Sequence, residues 1–589
     1  MNALWQSLKG IPWATMGRPE STDELLQKLK GQRAAAATLK EAPLFSLIVP
    51  LMEEIDLEHF SQFLSSLRAQ SYPYWEAVFV TRGSLSPLKI LAFHDEYEGS
   101  SHFRWIEMST ESSLCDLKNE GVARANGDYW AVVEADAVLH PSAIFLFATE
   151  TMSRPGADVI YCNEVELGLE NSGAVSFISK PEFSWVDAIH FPMFNRLVVV
   201  KKTAFSERFD AVFPEYHESD HLFRLIEQEK VFRLLPYYLY YHRAATQSPV
   251  MSEWQRVVET HLRRKGFPAT LEIFREQERD LLKVTPILSR AADRLVSVVV
   301  CFRNKVELTQ RAVEHLARQN QNVKLEFILM NNESDENEVK KLGEGLKRLG
   351  VTFKIIDYPY PFNFARMNNI AVREHARGEF VLLLNNDVFW HGEKTLDAMV
   401  AWAAIPSVGT VGIRLVYPDG RLQHAGLIAR FGGEARLARL SNNQKEDRFT
   451  SETHAVFVNT FAASLFRKQL FEKVGGLREL EFANGFGDVV FNFECLKLGL
   501  KNLYLGHVVA EHMESASRGQ QYEYWEEVGL EREFPEILAK MLRQDIGENR
   551  NPGHDIAIGK TIREAISQEL TSKAPGLKRG LKRAFDLFS

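Results

Sequence analysis

The sequence states one architecture twice. FSLIVP at 45–50 returns as VSVVVC at 296–301, and each β-rich run precedes an amphipathic segment, LEHFSQFLSSLRAQ in one copy and LTQRAVEHLARQ in the other. A second strand follows in each, WEAVFV at 75–80 and LEFILM at 325–330. Further on, KNEGVARANGDYWAVVEADAVL parallels NNIAVREHARGEFVLLLNNDVF: an Asn, a short helix, a Gly, a strand, then acid. The register agrees, because Ser46 to Asp136 and Ser297 to Asp387 are both 90 residues apart. Strands alternating with helices predict βαβ units, and near-continuous apolar strands predict a mainly parallel sheet buried on both faces. The fold class is therefore α/β, with two tandem Rossmann-like domains, a helical linker and helical termini. The expected boundaries are an N-terminal helical segment over 1–44, a first domain over 45–245, a linker over 246–292, a second domain over 293–525 and a C-terminal helical tail over 526–589. At 589 residues the chain exceeds what one hydrophobic core serves, which agrees with this division.

The repeat also marks a site. In FVLLLNNDVFW (380–390) a buried strand runs into Asn385, Asn386 and Asp387; in YWAVVEADAVL (129–139) the insert is Glu134, Ala135 and Asp136. Taken singly, NND reads more readily as a turn. Acid at the same offset in both copies favours a site, since ligands of open α/β sheets bind beyond the carboxyl ends of the strands. Carboxylates there suit Mg²⁺ or Mn²⁺, which bind through one or two carboxylates plus substrate phosphates. A transferase acting on a nucleotide-diphosphate sugar needs such a cation for its leaving group and a base for the attacking hydroxyl. Asp488, after the Gly-rich stretch FANGFG, and His512 in VVAEHMESASRG are the downstream candidates. Taken alone, Asp488 also reads as a helix-start acid and His512 as a structural histidine.

Charge narrows the partners. Lys and Arg number 70 against 78 Asp and Glu, a net −8, so there is no general field for gripping nucleic acid. Cys115, Cys162, Cys301 and Cys495 lack the spacing of a zinc site or the density of a disulfide scaffold. With no cleavable leader pattern and no apolar run long enough to span a bilayer, the expectation is a cytoplasmic protein.

The second copy closely resembles glycosyltransferase family 2, especially bacterial proteins with tandem GT-A domains that build O-antigen, capsule and related surface glycans. The segments are YPYPFNFARMNN, GEFVLLLNNDV, VGIRLVYPDGRLQHAGL, FANGFGDVVF and HMESASRG, spread over 293–520. The first copy resembles the partner domain through AQSYPYWEAVFV, GDYWAVVEADAVLHP, SKPEFSW, HESDHLFRL and YYHR. The resemblance implies that Asn385 to Asp387 is a variant of the Asp-x-Asp element, with Asp387 on metal and diphosphate. It also implies Asp488 as catalytic base, His512 as metal contact, Arg518 as diphosphate contact, and Asn331 and Asn332 at the nucleotide-base loop. Asn369 and His424 are weaker donor-pocket candidates. The second copy departs from the pattern at Val490 and Glu494, where a second acid and an arginine are usual. In the first copy Thr81-Arg82 replaces the base-loop acids, so Glu134, Asp136, Asp220 and His242 form a candidate second site in a domain expected to be inactive.

The functional expectation is an inverting, metal-dependent transfer from a UDP-, dTDP- or GDP-linked sugar to a glycan or lipid-linked acceptor. A non-catalytic glycan- or nucleotide-binding scaffold is the alternative, and a nucleotidyltransferase ranks last because CFRNK lacks a glycine-rich loop. Leu577, Leu581, Phe585 and Phe588 recur at helical spacing opposite Lys578, Arg579, Lys582 and Arg583. That tail reads as a basic amphipathic helix, either peripheral on an anionic membrane surface or docked on the protein itself. Leu4, Trp5, Leu8, Ile11 and Trp13 read in the same two ways.

Overall fold

The computed structural model describes residues 22–39, 41–52, 56–83, 102–167, 175–192, 194, 196–204, 207–243, 250–276, 279–319, 321–431, 435–439, 448–513, 530 and 532–545. The terminal amphipathic segments, at 4–13 and 575–589, and Arg518 lie outside these residues. Two compact units emerge. One takes in the chain up to Phe183 and Pro192–Lys265; the other is Ser184–Phe191 and Gly266–Asp545.

Each unit is built on one mainly parallel sheet, and the two sheets share an order and a pairing sense. In the first unit the strands run across the sheet as Phe103–Met108, Trp75–Arg82, Phe45–Leu51, Tyr129–Val132, Val198–Lys201, Val159–Leu167, Phe232–Arg243 and Val138–Leu139. In the second they run as Phe353–Asp357, Lys324–Asn331, Leu295–Phe302, Phe380–Asn385, Ala463–Arg467, Val408–Val416, Lys501–His512 and Val388–Trp390. The first four of each order are parallel, and the fifth runs against them. Buried β-branched and aliphatic runs such as LVSVVVCF and FVLLLN form the centre, as expected of strands covered on both faces. Flanking helices, Leu57–Arg68 in one unit and Val306–Ala317 in the other, turn Phe60, Phe63, Leu64 and Leu67, or Val306, Ala312, Val313 and Leu316, into the core.

A buried polar device is repeated atom for atom. Ser46 Oγ donates to Glu76 Oε1 at 2.6 Å and accepts the Gly127 N–H at 2.8 Å; Ser297 Oγ donates to Glu326 Oε1 at 2.7 Å and accepts the Gly378 N–H at 2.8 Å. Burial alone would raise both glutamates. Hydrogen bonds from Ser46, Asn126 and Arg104 in one case, and from Ser297 and Arg377 in the other, outweigh it and hold each carboxyl below its ordinary range. The glycines are steric necessities. A Cβ on Gly378 would lie 2.7 Å from Leu295 O and Ser297 N, and one on Gly127 would lie 2.7 Å from Tyr129 O.

Between the two sheets in sequence come the helix Met251–Arg264 and the hairpin Ala269–Glu276 with Arg279–Pro286. At the far end the helix Pro535–Asp545 follows Phe534, and Phe534, Leu538 and Met541 share an apolar cluster with Val489, Val490 and Phe493.

Candidate functional site

In the second unit, Asn385 closes the strand Phe380–Asn385, its N–H donating to the Ala462 carbonyl at 2.9 Å. Asn386 turns into the interior, its Nδ2 3.4 Å from Thr309 Oγ1. Asp387 begins the return into Val388–Trp390, which pairs antiparallel with the end of Lys501–His512 and sets Val388 opposite His512. The Met513 N–H donates to the Asp387 carbonyl at 3.2 Å. This pairing carries His512 Nε2 to 3.3 Å from Asp387 Oδ1 and 3.3 Å from Asn385 Nδ2. Residues 125 positions apart in the chain thus converge on one buried spot.

Asp488 lies in the first turn of the helix Gly487–Lys497, where the partial positive charge of the helix start favours a carboxylate. Its Oδ2 accepts the Phe461 N–H at 3.3 Å and its Oδ1 the Val489 N–H at 2.9 Å. The preceding Phe486 holds a left-handed backbone, φ 54°, unusual for so large a side chain. Its ring packs against the apolar cluster of Phe482, Val489 and Phe493. That cluster also explains one departure from the resemblance. Val490 is buried in the apolar cluster with Phe534 and Leu538, where a carboxylate would be costly to desolvate. Glu494, where an arginine is usual, instead accepts from Arg478 at 2.7 Å and from Lys497 at 3.5 Å.

Beneath Asp488, four fully buried residues, Thr410, Asn459, Asn492 and Asn502, form a network that the sequence reading missed. Asn492 Nδ2 donates to the Asp488 carbonyl at 2.7 Å and the Asn459 carbonyl at 3.0 Å; its Oδ1 accepts from Thr410 Oγ1 at 2.7 Å and the Asn459 N–H at 3.2 Å. Both donors and both acceptor positions of the amide are used. The one available signal was a lone Asn in the apolar run VVFNFEC. The segment after Asn459 then meets three candidates in succession. The Thr460 N–H points to His424 Nε2 at 3.4 Å, the Phe461 N–H to Asp488, and the Ala462 carbonyl to Asn385.

At the neighbouring strand end, Asn331 donates to Asp357 Oδ1 at 2.8 Å and accepts the Ser334 N–H at 3.0 Å. Asn332 Nδ2 donates to the Tyr358 carbonyl at 3.3 Å and the Tyr360 carbonyl at 2.9 Å, which fixes the amide's orientation. Asn332 Oδ1 is then buried without a hydrogen-bond partner among the described residues. Asn369 is spent on structure. It bonds both backbone groups of Leu477, at 2.8 and 2.9 Å, and the Glu479 carboxylate at 2.7 Å. Asn119 clamps Phe209 in the same way in the first unit, at 3.0 and 2.8 Å.

The candidate second site looks different. Glu134 is ion-paired with Arg196 and accepts from Tyr240 Oη at 3.3 Å. Asp136 is exposed. Asp220 lies against two guanidinium groups, Arg264 at 3.0 Å and Arg224 at 3.2 Å. His242 is buried, with Nδ1 3.0 Å from the Arg243 carbonyl, and burial lowers its ring's pKa below the ordinary histidine value. Arg82 donates to the Thr110 carbonyl at 2.7 Å.

Asp387 Oδ1 and His512 Nε2 are the right chemistry for a hard divalent cation, an anionic oxygen and an imidazole nitrogen turned toward one point. No group of three or more His, Cys, Asp and Glu suited to a metal occurs among the described residues. Two protein ligands, with the rest from a substrate diphosphate and water, is a coordination typical of Mg²⁺.

A family model described as Glycosyl transferase family 2 matches residues 46–171 and 297–475, together a little over half of the chain. Among curated proteins, the O-antigen biosynthesis protein RfbC of Myxococcus xanthus is 27% identical over 526 residues, covering 85% of this chain and 40% of its own length. The uncharacterized protein y4gI of Sinorhizobium fredii (strain NBRC 101917 / NGR234) is 27% identical over 548 residues, covering 88% of this chain and 57% of its own. The chain spans about half the length of these relatives. Among solved structures, S. aureus TarS 1-349 in complex with UDP matches at a TM-score of 0.30 and 16% identity, over 37% of this chain and 65% of that one. The mannosyltransferase PcManGT from Pyrobaculum calidifontis, in complex with GDP-Man and Mn²⁺, matches at a TM-score of 0.31 and 18% identity, over 49% of this chain and 80% of that one.

Proposed function

The chain belongs to glycosyltransferase family 2, and from that premise we propose that its second unit is an inverting, metal-dependent glycosyltransferase. It moves a sugar from a nucleotide-diphosphate donor to a glycan or lipid-linked acceptor in surface polysaccharide synthesis. The observation that carries this reading is the convergence at the ends of the central strands: Thr460 to Ala462 touches His424, Asp488 and the strand end that presents Asp387 beside His512.

In this reading Asp488 takes the proton of the acceptor hydroxyl while that oxygen attacks the anomeric carbon opposite the departing diphosphate. Inversion follows from the single displacement. Asp387 and His512 would hold the Mg²⁺ or Mn²⁺, which when bound neutralises charge on the leaving diphosphate. Asn332 Oδ1, a buried acceptor without a partner among the described residues, supports a nucleotide base that offers an N–H, such as the N3–H of uracil or thymine or the N1–H of guanine. The first unit is read as non-catalytic, because Glu134 and Asp220 are already neutralised by Arg196, Arg224 and Arg264.

No helix of the described residues is long and apolar enough to cross a membrane. A cytoplasmic, peripheral place at the inner membrane face belongs to the same proposal and rests on the basic character of 575–589.

The test is nucleotide-diphosphate release from UDP-, dTDP- and GDP-linked sugars with Mn²⁺. Asp488→Asn is expected to lower turnover by about 10²- to 10⁴-fold, the range for a positioned base, with donor binding kept. A variant that turns over at the parental rate would remove Asp488 from the mechanism. The scaffold alternative predicts glycan binding with no nucleotide release from any donor.

A further inference from the structure

Gln423 falls within a segment that carries the resemblance, yet neither the repeat nor the resemblance gives it a role. It lies on the short strand Leu422–His424 and is almost wholly buried. Neighbouring side chains on a strand face opposite ways. His424 meets Thr460, while Gln423 meets His512 through both ends of its amide. Its Nε2 donates to the His512 carbonyl at 3.2 Å, and its Oε1 lies 2.6 Å from His512 Nδ1.

The first of these contacts settles the second. A backbone carbonyl can only accept, so the NH₂ of Gln423 must face it, and the amide oxygen is left for the ring. An oxygen at that distance from Nδ1 requires an N–H there. A neutral imidazole with its proton on Nδ1 has its lone pair on Nε2. That nitrogen faces Asp387 Oδ1 at 3.3 Å, with Asn385 Nδ2 equally near. Asn385 Nδ2 can donate to that lone pair, while the carboxylate oxygen beside it makes the same spot attractive to a cation held between the two. In the opposite tautomer the Nδ1 lone pair would confront Gln423 Oε1, and the Nε2 proton would bond to Asp387 and close the spot to a metal.

The geometry points to Gln423 as the positioning residue of the candidate metal site: it selects the His512 tautomer that offers Nε2 to a divalent cation shared with Asp387. This rests on the metal-dependent reading above and adds to it the residue that makes His512 a ligand. Groups that orient a metal-binding histidine are worth about 10- to 100-fold in metal affinity.

The experiment titrates Mn²⁺ into the full chain with UDP, and separately with GDP, by calorimetry. Pulsed electron paramagnetic resonance then reads whether nitrogen coordinates the bound Mn²⁺. For Gln423→Leu we expect Mn²⁺ affinity to fall by about 10- to 100-fold and the nitrogen signal to fade at saturating metal. Nucleotide affinity in EDTA is expected to stay within about two-fold of the parent. Gln423→Glu, which keeps an acceptor for the Nδ1 proton, is expected to recover most of the loss, and Gln423→Met serves if the Leu variant does not fold. Parental Mn²⁺ affinity and nitrogen signal in the Leu or Met variant would overturn the assignment of Gln423 alone. A wild-type chain that binds UDP and GDP no better with Mn²⁺ than in EDTA would instead overturn the metal-dependent reading beneath it.

Discussion

Asp187 is fully buried, and its Oδ1 accepts the Ala455 N–H at 2.6 Å while Oδ2 has no partner among the described residues. Burial pushes this carboxyl up to about 7, against the partial opposition of the Ala455 amide and Lys501. In the unfolded chain it titrates near 4. The folded form therefore binds a proton that the unfolded form has released, and stability is lost as pH rises from about 4 to about 7. Asp187→Asn keeps the acceptor and removes the charge. It should be more stable than the parent at pH 8, the gap shrinking by about 1.4 kcal/mol per pH unit between about 7 and 4. Urea unfolding at pH 8, 6 and 4.5 measures this, and a gap independent of pH would contradict it. His190 and His454, held down to about 4 by burial, act in the opposite sense and cancel in the comparison. Asn492 yields a second prediction at this scale. Asn492→Leu removes two N–H donors and an oxygen that accepts twice from a buried amide network that includes the Asp488 carbonyl, so a loss of about 2–4 kcal/mol is expected. Turnover should fall further than donor affinity, which steady-state kinetics with a binding assay would show.

Among the elements, the strand-to-strand contact beneath each Ser–Glu pair allows no side chain on the glycine. Gly378→Ala would drive a Cβ to 2.7 Å from Leu295 O and Ser297 N, atoms that belong to the central strand and cannot swing away. We expect a loss of about 3 kcal/mol or more, the upper range for overpacking, with Gly127→Ala costing the first unit similarly; chemical denaturation of each variant is the check. The helix Gly487–Lys497 answers to different forces. Its placement depends on Phe486 in a left-handed turn and on Phe534, Leu538 and Met541 closing over Val489, Val490 and Phe493. None of this shows in local propensity, since a phenylalanine in that conformation persists where the surrounding structure over-determines it.

For the whole molecule, one fold built twice has been given unequal chemistry. Glu134→Gln and Asp220→Asn should leave turnover within about two-fold of the parent, because both of these carboxylates are tied to arginines. Asp220→Asn should still cost stability, since removing one partner leaves Arg224 and Arg264 facing an uncharged group. A first-unit variant that abolishes nucleotide release would show the asymmetry to be misread. The repeat, the mainly parallel sheets and the strand ends carrying Asp387 and Glu134 were legible in the sequence, because apolar runs and their spacing report burial directly. Asp488 and His512 were legible as candidates through motif and order. Whether an acid is open to chemistry or neutralised was not: Arg224 lies one helical turn from Asp220, but Arg196 is 62 residues from Glu134 and Arg264 is 44 from Asp220. Nor was Gln423, whose neighbour in the chain looked the better candidate. The sequence by itself determined the two α/β units and where their polar strand ends fall, since periodicity and hydrophobic burial act locally along the chain. Tertiary structure alone decided which polar groups meet there, because hydrogen bonds and ion pairs form between atoms brought together by the closing of the sheet, at separations no local pattern encodes.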